Sequence, residues 1–395
     1  MHPASRVAGI PLSLTLALDA RAKALAQAGR DIVNMSVGEP DFDAPALVQD
    51  AAARAVRGGK VRYTPAAGTA SLRKVLADHL SQTRGVPFTP DEITVCHSCK
   101  HALSGSMLAL CEPGDEVLML LPAWVSYVEI ARIAGAVPVS VPSRVDCGPD
   151  FAAIERSITP RTRGVMLNSP NNPSGYVWSR AEVEQLGAIA ERHDLWILSD
   201  EIYRRLIYEG ERDTSPVSIS PAVRARSVIV DGASKTYAMT GYRIGFVAAR
   251  KEIASGVERL HSHLTGCPNA ISQEAYEAGL RSEPVEIAKM AAEFDRRRKF
   301  LLGELESMGL RTPWPRGAFY AFPDVSPWLD SRGSAGFCED LLEQQGLALV
   351  PGSAFGVETN VRLSYALSIE KIQIATKRLR TFLTEHARAP AAARR

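Results

Sequence analysis

The stretch DGASKTYAMTGYRIG, residues 231–245, follows an apolar run at 228–230 and sets Lys235 among small residues, with Arg243 close behind it. A β-run that ends in a polar turn and one lysine is common at protein surfaces. Taken alone, Lys235 reads as a solvated charge and Arg243 as the partner of a surface carboxylate. The reading changes once the ends of the neighbouring apolar runs are set beside it.

Those runs lie in a chain of 395 residues, too long for one ordinary core, so two domains are expected. Hydrophobic residues at 46% and charged residues at 23% describe a globular protein. A net charge of +2 without a basic stripe gives nucleic acid no electrostatic hold and points to a small-molecule partner. Among six cysteines only Cys96 and Cys99 form a close pair; Cys111, Cys147, Cys267 and Cys338 supply no second one, so no metal site is expected. The six read as reduced thiols of a cytosolic protein. Residues 10–20, IPLSLTLALDA, imitate the apolar core of a signal peptide. Arg6 alone precedes them and Asp19 interrupts them, so they read as part of the folded chain. No stretch reaches transmembrane length, and the basic tail from residue 385 reads as frayed.

Short β-rich runs alternate with helical patterns through the middle of the chain, the signature of an α/β fold with a mostly parallel sheet. Strands are expected at 93–96, 117–121, 165–167, 196–198, 228–230 and 244–248. Ser179 and Glu182 form a capping box ahead of a helix at 180–193. From residue 283 onward Ile287, Met290, Phe294, Leu301, Leu305 and Met308 recur at helical spacing. That helix leads into the strand-like GAFYAFPDV and later into ALVPGSAFG and NVRLSYAL, a second and smaller α+β domain.

Open α/β sheets bind ligands beyond the carboxyl ends of their strands. At those ends stand His97, Ser98, Cys99 and Lys100; then Asn168, Asn171 and Asn172; then Asp200, Glu201 and Tyr203; then Asp231, Ser234 and Lys235. Each has a plain explanation on its own. Asp200 suits an N-cap for a helix through Tyr203, and NNPSG suits a turn. Together they form a set that one chemistry requires. A lysine able to form a Schiff base, an acid to hold a pyridine nitrogen protonated, donors to a phenolic oxygen and a phosphate cradle describe a pyridoxal phosphate site.

NSPNNPSG (168–175), LSDEIY (198–203) and SKTYAMTGYRIG (234–245) resemble the class I aminotransferases among the fold-type-I pyridoxal phosphate enzymes. MSVGEPDFDAP, KVRYTPAAGTASLR, PGDEVLMLLPAWVSY, GAFYAF and NVRLSYA extend the resemblance from about residue 11 to 380, most strongly to the bacterial branch of aspartate and prephenate aminotransferases. The resemblance implies a large cofactor-binding domain with a mostly parallel seven-stranded sheet at 46–282, a small domain at 283–395, and residues 1–45 as an N-terminal segment of the small domain. It further implies a homodimer with shared active sites. Matched by motif, Lys235 resembles the lysine that holds the cofactor and moves protons, and Asp200 the carboxylate facing the pyridinium. Tyr203 and Asn172 match the donors to the ring oxygen, and Trp124 the aromatic on the ring face. Ser98, Cys99, Lys100, Ser234 and Arg243 surround the phosphate, joined by Tyr63 from the neighbouring subunit. Arg362 resembles the grip on the substrate α-carboxylate, assisted by Asn172 and the backbone of Gly38. Lys100 and Thr15 match residues that serve the distal carboxylate of dicarboxylic substrates.

Two positions depart from the family pattern: Ser98-Cys99-Lys100 stands where Gly-Gly-Lys is usual, and Gly232 where many members carry serine. The expected reaction is transfer of an amino group between aspartate or glutamate and a 2-oxo acid. Prephenate remains an open acceptor, and β- or γ-elimination on the same cofactor is the alternative chemistry. A regulator built on this scaffold is disfavoured, because Lys235 and Asp200 are both present and no room for a DNA-binding domain precedes residue 30. The loop 261–269, HSHLTGCPN, is expected to line the active site across the dimer.

Overall fold

A computed structural model describes residues 2, 9–12 and 14–386; Arg6 and the tail beyond residue 386 lie outside it. The first strand, β1 (Val33–Asn34), lies outside the central sheet. The central sheet is made of β2 (Ile93–Cys96), β3 (Glu116–Leu120), β4 (Val137–Val141), β5 (Thr162–Asn168), β6 (Trp196–Asp200), β7 (Ser227–Gly232) and β8 (Gly245–Ala248). Its order is β2-β8-β7-β6-β5-β3-β4, with β8 antiparallel to both neighbours and every other pair parallel. After the long helix Val285–Ser307 come β9 (Tyr320–Ala321), β10 (Leu347–Ala348), β11 (Val350–Pro351) and β12 (Val361–Ser364). β1 pairs with β10, while β11, β12 and β9 form an antiparallel sheet of their own.

The central strands are apolar on both faces because both faces are covered. Val165 and Leu167 of β5 and Ile197 of β6 enter one core with Leu186 and Ile189 of the helix Arg180–Arg192. Met166 and Leu198, one residue along, enter the other core with Leu103 and Met107 of the helix Cys99–Leu110. The period-2 alternation of a strand thus feeds two separate interiors. β4 was not among the expected strands. It is an edge strand, VPVSV, largely exposed and interrupted by Pro138, so it lacks a buried apolar run.

Several boundaries differ from the sequence expectation. The Ser179–Glu182 capping box forms as expected. The helix expected from residue 283 starts at Val285, behind Pro284. Of GAFYAFPDV only Tyr320–Ala321 pairs as strand. Residues 261–264, read as loop, complete the helix Lys251–Leu264, and His261 is buried on it.

Beneath the carboxyl ends of β6 and β7 lies a buried charged layer. Arg84 pairs with Glu201 and, at 3.2 Å, with Asp213. Arg204 donates to Asp231 at 2.8 Å and to His79 Nε2 at 2.6 Å. Burial and the nearby arginines push His79 down to about 3, so the neutral ring accepts from Arg204. Removing one partner of such a pair strands the other charge. Arg84→Leu is expected to lower stability by about 3–5 kcal/mol in urea unfolding followed by circular dichroism at pH 7.

Candidate active site

Parallel pairing in register sets Asn168 opposite Asp200, so the ends of β5 and β6 lie side by side. Asn168 Nδ2 donates to the Asp200 carbonyl at 3.0 Å, and its Oδ1 accepts from Asn172 N at 2.8 Å. The turn after β5 is thereby fastened to β6. No helix follows Asp200: residues 202–205 form a turn, and the Asp200 carboxylate is free to face inward rather than cap. It accepts from Tyr127 Oη at 2.7 Å and Ile202 N at 3.3 Å.

These strand ends open into a cavity of about 370 Å³. Asn172, Asp200, Tyr203, Ser234 and Lys235 line it from the sheet edge, and Trp124 from the start of the helix Val125–Ile133. Ser98, Cys99, Lys100, Arg243, Thr15, Gly38 and Arg362 line the rest of it with others. Tyr63 alone among the expected residues is absent from this wall. It is 98% exposed and borders a wider surface cavity with His97, Arg243 and Cys267.

Buried charges around the cavity lack the partners that usually neutralise them. Among the described residues no cationic side chain pairs with Asp200, and burial pushes its carboxyl up to about 6, aided by Asp231 and Glu201 and opposed by Tyr127. Lys235, half-buried, donates to the Gly38 carbonyl. Burial pushes its amine down to about 8, with Arg362 and Arg243 adding and Glu39 opposing. Arg362 is 2% exposed. Its Nη1 donates to Asn172 Oδ1 at 3.0 Å and its Nη2 to the Ser36 carbonyl at 2.6 Å, while Nε has no partner. No described carboxylate pairs with it, and the desolvated guanidinium is drawn below its ordinary range.

The phosphate-loop departures have a steric account. Ser98 adopts φ +91°, a conformation favouring glycine. A Cβ on Gly232 would meet Gly245 Cα at 2.7 Å and Cys99 Sγ at 2.9 Å. A Cβ on Gly245 would meet Cys99 N at 2.7 Å. The Cys99 thiol therefore fills the space beside Gly232, and the two glycines let the start of the helix Cys99–Leu110 lie against β7 and β8. All six cysteines are free.

Several wall residues carried no expectation, and two of them, Tyr127 and Tyr320, touch residues that did. Tyr127 sits within PAWVSY, and only the helical turn beyond Trp124 reveals that it reaches Asp200. Tyr320 sits within GAFYAF, where the strand-like pattern hides that its hydroxyl meets that of Tyr203 at 2.8 Å.

The known proteins that resemble this chain agree with the geometry. The family model for aminotransferase class I and II matches residues 30–379. An aspartate aminotransferase of Geobacillus stearothermophilus is 37% identical, over 98% of this chain and 100% of the relative. An aspartate/prephenate aminotransferase of Thermus thermophilus is 41% identical, over 94% of this chain and 96% of its own. The solved structure of aspartate aminotransferase from Thermus thermophilus with maleate superposes with a TM-score of 0.93 at 39% identity, covering 97% of this chain and 100% of the other. The fold is that of the fold-type-I pyridoxal phosphate enzymes. The chain belongs to the class I and II aminotransferase family. It is an aspartate aminotransferase-like enzyme that uses pyridoxal 5′-phosphate and acts on amino and 2-oxo acids.

The lowered Lys235 amine has a direct consequence. In cofactor-free protein, acylation of Lys235 should rise with pH through a midpoint near 8, whereas exposed lysines rise near their ordinary value of about 10.4. Mass spectrometry of labelled peptides reads both midpoints in one experiment.

Proposed function

We propose that this enzyme transfers the amino group of L-aspartate or L-glutamate to a 2-oxo acid, oxaloacetate or 2-oxoglutarate, in alternating half-reactions. The observation that carries the reading is the set of uncompensated buried charges on one cavity wall. Among the described residues no cation pairs with Asp200 and no carboxylate with Arg362, and burial draws the Lys235 amine down to about 8. Such charges are costly unless a ligand completes them.

The donor set fits pyridoxal phosphate. The first amides of the helix Cys99–Leu110 have no intrahelical acceptor, and with Ser98, Ser234 and the Arg243 guanidinium they suit a phosphate. Arg243 spends one donor on the Thr240 carbonyl at 2.8 Å and has no carboxylate partner among the described residues. Trp124 suits the ring face, Asp200 the pyridinium, and Tyr203 and Asn172 the ring oxygen. When bound, the cofactor supplies an electron sink for the substrate Cα.

This chain's residues do the rest. Lys235, whose amine burial draws down to about 8 in the cofactor-free protein, would hold the cofactor and would take and return the proton at the substrate Cα. Arg362 grips the α-carboxylate with its planar fork, steadied by Asn172 and by the Gly38 segment. Lys100 stands at a helix N-terminus, where the dipole disfavours a cation, with its amine 5.0 Å over the Trp124 ring. Burial and Arg243 lower its pKa, a cost that an anion would relieve, which supports a role in meeting the distal carboxylate, and Thr15 lines the same cavity. Prephenate also presents two carboxylates, and the named activity of the Thermus thermophilus relative supports it as an acceptor.

Tyr63 completes the phosphate site of the partner subunit in a homodimer. Its exposure supports this, together with exposed Val61 and Leu264 and the surface cavity that adjoins Arg243. Residues 46–282 form the cofactor domain; of the span 283–395 and the N-terminal segment 1–45, the described residues form the small one. No described helix is long and apolar enough to cross a membrane, and a cytoplasmic site of action is proposed with it.

The deciding measurement is the visible spectrum with pyridoxal phosphate, before and after L-aspartate or L-glutamate, with Lys235→Ala as control. Bleaching of the yellow band by either amino acid, reversed by oxaloacetate or 2-oxoglutarate, is expected. Pyruvate and ammonia from a cysteine conjugate, with no reversible bleaching, would replace transfer by elimination. Arg362→Lys should keep the yellow band but lower kcat/KM by about 100- to 1000-fold, chiefly through KM, in steady-state assays.

A further inference from the structure

Besides the direct bond from Arg362 to Asn172, the cavity holds a second connection between the carboxylate grip and a group placed at the cofactor's ring oxygen, and it runs through a residue with no assigned role. Tyr320 lies on β9, one strand from Arg362, where β9 pairs with β12. The Arg362 guanidinium stands 4.4 Å from the centre of the Tyr320 ring. The Tyr320 hydroxyl lies 2.8 Å from that of Tyr203. All three side chains are buried, at 1%, 5% and 2% exposure for Tyr320, Tyr203 and Arg362. The fit is close, for a Cβ on Gly38 would stand 2.7 Å from the Tyr320 hydroxyl.

The geometry points to Tyr320 as a positioning residue that couples occupation of the carboxylate site to the hydrogen bond offered by Tyr203. This rests on the roles proposed above for Tyr203 and Arg362. A phenol has one proton to give. If Tyr203 gives its own to the cofactor, the bond between the two hydroxyls has Tyr320 as donor and Tyr203 as acceptor. A cation on the face of the Tyr320 ring withdraws electron density and strengthens that donation. Hydrogen bonds in series polarise one another, so Tyr203 donates more strongly in turn. A carboxylate bound to Arg362 offsets the cation, weakens the relay and relaxes the hold on the ring oxygen. The site thereby senses substrate before any bond is broken.

Tyr320→Phe tests this, because it removes the hydroxyl and keeps the ring under Arg362. The readouts are the pH midpoint of the bound cofactor's absorbance change, with and without maleate, and the dissociation constant of maleate. Wild type should show a midpoint that rises when maleate binds. In Tyr320→Phe the midpoint without maleate should already be higher by about 0.7 of a pH unit, the equivalent of one ordinary hydrogen bond, and should rise less with maleate. Maleate affinity should stay within about twofold in Tyr320→Phe and fall about tenfold in Tyr320→Leu, which removes the ring. A Tyr320→Phe midpoint equal to wild type, or an undiminished maleate shift, overturns the relay. Unchanged maleate affinity in Tyr320→Leu overturns the support of Arg362 by the ring. A wild-type protein without a yellow band fails the cofactor assignment first, and the relay with it.

Discussion

The pairing of Asn168 with Asp200 is the constraint on which the site depends. Parallel strands in register bring residues 32 apart in sequence to the same level, and Asn168 then joins the two by a side-chain hydrogen bond to the Asp200 backbone. Its other face holds the amide of Asn172, whose own side chain meets Arg362. One asparagine therefore sets the spacing between the buried acid and the buried guanidinium. Slippage of β5 against β6 by one residue would turn the side chains to the opposite faces and dissolve the arrangement.

Holding unpaired charge in an interior demands a rigid setting, and the chain supplies it from below. Arg84, Glu201, Asp213, Arg204, Asp231 and His79 form a paired layer under the strand ends. Glu201 follows Asp200 directly, and Asp231 accepts from Gly232 N at 2.6 Å at the start of the turn that carries Lys235. The layer fixes the backbone on either side of the cavity without spending the groups that face it. Replacing such a layer whole by well-packed apolar residues of similar volume is often neutral, whereas removing one partner alone is costly.

Much of this was legible in the sequence because strand ends in an α/β sheet follow continuous apolar runs, which locate Asp200 and Lys235 without side-chain detail. The polar cluster at four such ends carried the chemistry, and the quoted motifs carried Arg362, Thr15 and Trp124. What stayed hidden has a physical cause in each case. β4 lacks the buried run that marks the other strands. Tyr127 and Tyr320 look like core aromatics, since spacing gives the face of an element but not the reach of a hydroxyl. Arg84 and Arg204 look like surface charges, because their partners lie far along the chain and burial follows only from the assembled layers. Cys99 and Gly232 stood out only as two separate departures from the family pattern, whereas the two are complementary in volume.

The bond from Arg362 to the Ser36 carbonyl closes a span of 326 residues. During synthesis the central sheet, its helices and the lysine emerge well before β12 does. A nascent chain can therefore assemble a floor for the cofactor while its substrate clamp is still unmade. The clamp is complete only when β12 docks and the two distant segments meet. Contacts of such range are slow to form. They also ensure that an incomplete copy of the enzyme cannot grip an amino acid by this clamp.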